Sequence, residues 1–343
     1  MDMIKLGRTG LTVSRVGFGG IPIQRPPFEE AVSTIHRALD LGVNFIDTSI
    51  GYGDSEIRIG KAIQGKRDKV VLATKGSWRS REAVENSIDG SLSRFGTDRI
   101  DLWQFHNIPS LNDYDAVLRP GGAYTAAKNA LSDCKILHLG FSTHNIDVAI
   151  LGVESGLFET VMFPFDFVAR EAEEQLIPLA RKNDVGFIAM KPFAGGNIKN
   201  ARLAMKYLLQ FPSVQIIPGI EKAHEIEEIS DILAQSWELS VEDNVMMDEI
   251  RGELRGIFCR QCLYCMPCQS GVEIWPITIF RGLDHLWPKE QMAAGWIVQA
   301  AKSGENCTQC GVCETKCPYS LPIRELIKDN LMFYSSDRHL LRK

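Results

Sequence analysis

Eight of the nine cysteines of this 343-residue chain fall between Cys259 and Cys317, in two runs. The first is Cys259-x2-Cys262-x2-Cys265-x2-Cys268. The second is Cys307-x2-Cys310-x2-Cys313-x3-Cys317, closed by Pro318. A disulfide framework does not ordinarily crowd cysteines at such spacing in a chain with no export signal. Ligation of a metal centre is the chemistry the spacing serves. Thiolates three apart on a tight loop reach three corners of one cubane, and the fourth ligand must come from elsewhere. The alternative is a pair of structural Zn(Cys)4 sites, which typically use paired C-x2-C units with a longer gap. Three consecutive C-x2-C steps and the closing Cys-Pro favour iron–sulfur. The first run departs from the second in having two residues, not three, before its fourth cysteine.

A second set of residues could move protons. Asp47 and Tyr52 stand in NFIDTSIGYG, Lys75 in VVLATKG and His106 in DLWQFHN. A buried ionised lysine is costly without a partner, and Asp47 could supply one. Lys75 beside the Tyr52 phenol would favour the phenolate and lower the tyrosine pKa from ~10. That makes a general acid usable near neutral pH. His106 could hydrogen-bond a substrate carbonyl and orient it. Each residue has a plainer use: the aspartate as a helix N-cap, the tyrosine as packing, the histidine as a satisfied structural group. Four of them at the ends of three successive apolar runs point to a site.

The elements that must position these residues follow from hydrophobic patterning. Eight short apolar runs are expected as strands: 16–20, 44–49, 70–75, 100–106, 136–142, 160–165, 186–191 and 214–219. Several are nearly continuous, as a parallel sheet buried on both faces requires. Helical stripes alternate with them, such as Phe28, Val32, Ile35, Leu39 and Val84, Ile88, Leu92, Phe95. Eight βα units predict an α/β fold, a (β/α)8 TIM barrel, whose active-site face is the C-terminal end of its strands. A doubly wound open sheet is the competitor, but the first βα turn, GFGGIPIQRPP, has no G-x-G-x-x-G fingerprint. Residues 1–14 are expected as a hairpin turning at Gly7 and Gly10. The barrel is expected over 1–255, a cysteine module over 256–322 with a helical spacer at 281–302, and a helical tail over 323–343 that packs back on the barrel. No internal repeat is legible beyond the βα alternation, and Cys134 reads as a small buried residue.

Bulk properties narrow the rest. The net charge of −5 and the absence of basic runs with interleaved aromatics exclude a nucleic-acid surface. No stretch reaches the ~18 apolar residues of a spanning helix, and the first twenty residues lack the pattern of a secretory signal. The expected compartment is the cytoplasm.

The segments GRTGLTVSRVGFGG, NFIDTSIGYGDSE, VVLATKG, DLWQFHN and HLGFSTHN resemble the aldo-keto reductases, in order, over roughly residues 3–235. The resemblance implies Tyr52 as general acid/base, Lys75 and Asp47 as the groups that tune it, and His106 as the carbonyl-orienting residue. It implies hydride from a nicotinamide, NADPH or NADH, across the barrel mouth. Gly20, Asp47, Ser142, Thr143, Met162, Met190, Lys191, Gly219 and Lys222 fall at the cofactor side. Several depart from the family pattern. Thr143 stands for Asn, Met162 for Gln and Met190 for the stacking aromatic, with Lys191 next to it in place of Ser. Gly219 and Glu225 stand where the 2′-phosphate ligands are usual, and Ile229 where an Asn contacts adenine. Glu225 would repel a 2′-phosphate, with Lys222 and His224 nearby.

CLYCMPCQSGVEI and CGVCETKCPYSLPI resemble the ferredoxin-like tail of a subgroup of that family. In the matching bacterial ferredoxin run the fourth cysteine serves the other cluster. Two 4Fe-4S clusters are therefore expected, one on Cys259, Cys262, Cys265 and Cys317, the other on Cys307, Cys310, Cys313 and Cys268. The implied partners are a small-molecule carbonyl substrate and a one-electron carrier such as ferredoxin or flavodoxin. A nicotinamide moves two electrons together while a cluster takes one. An electron-transfer or redox-sensing protein using the barrel as a binding scaffold is thus the alternative to a reductase.

Overall fold

The computed structural model describes residues 1–341 apart from 77 and 294, with side chains apart from those at 285 and 337–341. The chain opens on an antiparallel hairpin, β1 (Met3–Lys5) and β2 (Thr12–Ser14), with Met3 opposite Ser14. Gly7 and Gly10 take the left-handed backbone its turn needs. At Gly7 a Cβ would lie 2.3 Å from the Gly186 nitrogen, so only glycine lets the hairpin approach the barrel there.

Eight parallel strands follow in sequence order: β3 (Phe18–Gly19), β4 (Phe45–Asp47), β5 (Val71–Gly76), β6 (Ile100–Phe105), β7 (Ile136–Ser142), β8 (Thr160–Pro164), β9 (Gly186–Met190) and β10 (Val214–Ile217). Bridges from Val16 to Ile216 and from Gly19 to Gly219 bring the first and last strands together, so the ring is nearly closed. The eight runs expected from the sequence are these strands. Every residue of β6 is buried, as helices outside and side chains inside require. The interior is filled by Phe45, Ala73, Leu102 and Ile188, with Leu6 and Val13 of the hairpin against them.

The outer helices form where capping and patterning agree. The helix Arg81–Phe95 starts at Ser80, whose side chain accepts from the Ala83 N–H, and stops at left-handed Gly96. It buries Val84, Ile88 and Phe95. The helix Phe28–Asp40 places Glu29 and Glu30 in its first turn and buries Val32, Ile35 and Ala38.

Past Leu254 a separate apolar cluster begins, built on Ile274, Ile277, Phe280, Ile297, Ile323 and Ile327. Here three expectations are corrected. Among the described residues the tail helix, Ile323–Leu341, packs on this cluster, not on the barrel; Tyr334 lies against Phe280, ring centroids 5.1 Å apart. A small module has too few apolar residues to close a core alone, so it draws on the tail and on the 280–304 helices. Cys134 is exposed, at a left-handed turn just after the helix Ala123–Ser132.

The third correction is an internal repeat. Gln261 and Gln309 are left-handed (φ 61° and 57°), as are Leu263 and Gly311 (65° and 77°). Each pair occupies matching positions of the two cysteine runs. Gly271 and Ser320, three past the fourth cysteine, are left-handed too. Helices then begin at Ile274 and Ile323, six past Cys268 and Cys317. The extra residue of the second run is absorbed between its third and fourth cysteines. Among the described residues no helix is long and apolar enough to cross a membrane.

Candidate functional site

The strand ends converge as a barrel requires. Asp47 closes β4 and Lys75 lies near the end of β5. The Lys75 ammonium donates to Asp47 Oδ2 at 2.6 Å and to the Thr48 carbonyl at 2.7 Å. Gln104 of β6 donates to Asp47 Oδ1 at 3.3 Å. Both members of the ion pair are buried, with side chains 3% and 6% exposed. Burial opposes the Lys75 charge, but Asp47, Tyr52 and Glu56 hold its pKa above the ordinary lysine value.

Tyr52 and His106 complete the group. Their rings meet edge to face, centroids 5.8 Å apart, and Lys75 Nζ lies 5.3 Å from the Tyr52 ring centroid. Ser49 Oγ bonds His106 Nδ1 at 2.9 Å and also reaches the Lys75 carbonyl at 3.1 Å. Burial, helped by Lys75, pushes His106 down to about 3, so the imidazole is neutral. The expectation for Tyr52 is corrected. Lys75 does pull the phenol downward, but burial outweighs it and Asp47 adds to the rise, so the phenol lies above its ordinary value.

A cavity of about 440 Å³ opens beside Asp47, Tyr52 and Lys75, while His106, behind Tyr52, is outside its lining. Gly20, Asp47, Met162, Met190, Lys191, Gly219, Glu225 and Ile229 line it with Tyr52 and Lys75. Ser142, Thr143 and Lys222 do not. Ser142 Oγ accepts from the Asn107 N–H at 2.8 Å, and Thr143 Oγ1 donates to the Ile108 carbonyl at 2.7 Å. Lys222 and His224 are exposed and outside the lining. At the start of the helix Ala223–Leu233, Glu225 accepts from the Glu221 and Lys222 N–H groups at 2.6 and 2.9 Å. A carboxylate of the chain thus occupies donors that a helix N-terminus could otherwise offer to a phosphate.

The sequence reading missed several neighbours. Glu221 and Glu228 line the cavity with Glu225, and Leu286 closes it from the C-terminal module. Ser49 and Gln104 hold His106 and Asp47. Their signal was spacing, since each lies two residues from a member of the set. His144, two past Ser142, donates its Nδ1–H to Asn107 Oδ1 at 3.1 Å. Its Nε2 is buried with no hydrogen-bond partner among the described residues.

The eight cysteines divide between two smaller cavities. One is lined by Cys259, Cys262, Cys265 and Cys317. The other is lined by Cys268, Cys307, Cys310 and Cys313, with Cys265 at the edge shared by both. Burial raises the thiols of Cys259, Cys262 and Cys265, and Cys317 adds to the rise in each. Cys310 of the second group is exposed. Among the described residues no three His, Cys, Asp or Glu side chains converge on one point as the ligands of a single ion would.

The first group is fixed to the barrel. Arg260 donates to the Val168 carbonyl at 2.7 Å, pairs with Glu171 and stacks over Tyr319. Tyr264 donates to Asp147 Oδ2 at 2.6 Å, and Gln291 donates to Gln24 Oε1 at 2.7 Å.

A nearly closed eight-stranded parallel barrel with its polar residues at the strand ends is the frame of a barrel enzyme. The aldo/keto reductase family model matches residues 15–202, and the chain belongs to that family of oxidoreductases. It is 31% identical over 205 residues to the aldo-keto reductase YhdN of Bacillus subtilis, covering 54% of this chain and 60% of that protein. It is 29% identical over 206 residues to the uncharacterized oxidoreductase YqkF of the same organism, covering 56% and 65%. The chain thus spans less than two thirds of these relatives' length. Its fold is like that of aldo-keto reductase AKR11C1 from Bacillus halodurans, with TM-score 0.64 at 22% identity over 73% of this chain and 96% of that one. It is also like an aldo-keto reductase from Klebsiella pneumoniae solved in complex with NADPH, with TM-score 0.63 at 20% identity over 73% and 95%.

Proposed function

We propose that this chain reduces a small aldehyde or ketone with a nicotinamide cofactor, and that its C-terminal module carries two [4Fe-4S] clusters. The observation that carries the first part is the buried Lys75–Asp47 pair, 2.6 Å apart, beside Tyr52 at the barrel mouth. A carbonyl oxygen held between the Tyr52 hydroxyl and His106 meets a proton donor and an orienting group together. When the Ser49 hydroxyl turns its one proton from the Lys75 carbonyl to His106 Nδ1, the neutral imidazole carries its proton on Nε2 and donates it to that oxygen. As Tyr52 gives up its proton, Lys75 stabilises the phenolate, and Asp47 with Gln104 keeps Lys75 in place. A bound nicotinamide supplies the hydride.

The Klebsiella neighbour binds NADPH. Here Glu221, Glu225 and Glu228 line the cavity, and Glu225 accepts from the Glu221 and Lys222 N–H groups just ahead of the helix. Three carboxylates are a poor setting for a 2′-phosphate. NADPH and NADH are expected to support turnover within about tenfold of each other, a difference of ~1.4 kcal/mol. Steady-state assays of anaerobically purified protein with both nucleotides and a panel of carbonyls test this. A preference of roughly several hundredfold for NADPH would show that the phosphate end lies elsewhere.

The cluster reading rests on the cysteine spacing, on the repeated backbone of the two runs and on the two cysteine-lined cavities, which share Cys265 at their common edge. Cys259, Cys262, Cys265 and Cys317 would hold one cluster, and Cys268, Cys307, Cys310 and Cys313 the other. Such clusters exchange single electrons, so a one-electron carrier such as ferredoxin or flavodoxin is the fitting partner. The three glutamates favour a second reading, an electron-transfer or redox-sensing protein whose barrel is a binding scaffold. The same assays separate the two: protein that binds neither nucleotide and reduces no carbonyl fits the second.

A further inference from the structure

One stretch of the C-terminal module, 280–291, crosses to the barrel mouth. Its helix Phe280–Leu286 packs on the turn Ala194–Gly196 after β9, where Gly195 and Gly196 line the barrel cavity. Leu286, half-buried at the helix end, lines that cavity together with Tyr52. Further along, Gln291 donates to Gln24 Oε1 at 2.7 Å, and Gln24 Nε2 donates to the Ile21 carbonyl at 2.9 Å. The two glutamines meet over Gly53, the residue after Tyr52. A Cβ there would lie 2.5 Å from Gln24 Oε1 and 2.9 Å from Gln291 Nε2. The stretch thus touches the loop after β9 at one end and the loops after β3 and β4 at the other. Leu286 stands between those two attachments in the chain.

The stretch is braced from within. The Trp287 N–H donates to the Leu283 carbonyl and the Gln291 N–H to the Pro288 carbonyl, both at 2.9 Å. Lys289 pairs with Asp284 across the turn. Phe280, Leu283 and Met292 belong to the module's own apolar core, so Leu286 is carried by the module. Plain docking of the module is the competing explanation. Docking is already served elsewhere, by Arg260 on Val168 and Glu171 and by Tyr264 on Asp147. A leucine beside an open cavity completes its burial only when an apolar group fills the space next to it.

We propose that Leu286 is a specificity-determining residue: the module supplies it as a wall of the cavity beside Tyr52, and the Gln291–Gln24 bond holds it there. The inference rests on the carbonyl-reducing reading of the barrel and is independent of which metal the cysteines hold. The substrate class it selects is an aldehyde or ketone with a compact apolar substituent. Ile21, Pro22 and Phe193 line the same cavity and give that substituent an apolar setting. Glu221, Glu225 and Glu228, also in the lining, disfavour one that carries negative charge. A bulkier substituent must displace Leu286, and with it a helix packed into the module's core.

The test compares kcat/KM for propanal and cyclohexanecarbaldehyde, measured on the anaerobic full chain as wild type, Leu286→Ala, Leu286→Trp and Gln291→Ala. Taking the ratio of the two aldehydes within each variant cancels any general loss of activity or of folded protein. Leu286→Ala should raise the ratio in favour of the bulkier aldehyde by roughly tenfold, and Leu286→Trp should lower it by a similar factor. Gln291→Ala should shift it in the same direction as Leu286→Ala, because the wall loses its anchor. A ratio that both Leu286 variants leave at the wild-type value, or move in the same direction, overturns the role of Leu286 while the reductase reading stands. A Gln291→Ala ratio at the wild-type value overturns the anchoring through Gln24. Wild-type protein that reduces no member of a carbonyl panel overturns the reductase reading and this inference with it.

Discussion

Tyr52→Phe is expected to lower the rate of carbonyl reduction by about 10²–10⁴-fold while the chain stays folded. Phenylalanine keeps the ring that meets His106 edge to face and loses only the hydroxyl. The phenol sits above its ordinary pKa because burial outweighs Lys75, so Tyr52 carries its proton through the neutral range. His106 cannot take over as the acid, since burial and Lys75 hold it near 3 and leave it neutral. Lys75 is bonded to Asp47 and the Thr48 carbonyl and is no substitute either. The measurement is kcat with a reactive aldehyde, beside thermal unfolding and the visible spectrum. Near-wild-type turnover in the variant would remove Tyr52 from the chemistry.

Cys317→Ser is expected to cost the cluster held by the first run, although Cys317 belongs to the second. Cys317 lines the inner cavity with Cys259, Cys262 and Cys265, not the cavity of its own run. About half of the iron should be lost. The C-terminal region should melt earlier, since a small module leans on its metal centres for stability. The barrel should persist, because its core is a separate cluster of residues. EPR of the reduced variant should lack the signal that Cys262→Ser also lacks and keep the one that Cys313→Ser loses. If Cys317→Ser and Cys313→Ser alter the same signal, the ligation is not crossed.

The barrel was legible because parallel strands buried on both faces are written as continuous apolar runs, of which β9, GFIAM, is the clearest. Asp47, Tyr52, Lys75 and His106 were legible as a candidate site because, although each has a plainer structural use, all four fall at the ends of three successive runs. Three features were not. The repeat of the cysteine runs is one of backbone conformation, carried at two of its three left-handed positions by unlike residues: Leu263 against Gly311, and Gly271 against Ser320. The net position of the Tyr52 proton depends on burial against charge, which residue types do not weigh. The place of the tail depends on which apolar faces remain uncovered, and Ile323 and Ile327 read alike whether they meet the barrel or Ile277. At the cofactor side, Gly20 and Gly219 fell on the cavity, while Ser142 and Thr143 were already engaged by the loop after β6.

The most direct measurement on the account is the iron and acid-labile sulfide content of the anaerobically purified chain. Two [4Fe-4S] clusters on the eight cysteines predict about eight irons and about eight sulfides per chain. Two zinc ions per chain with no iron would contradict it and leave the module a zinc-bound appendage of the barrel.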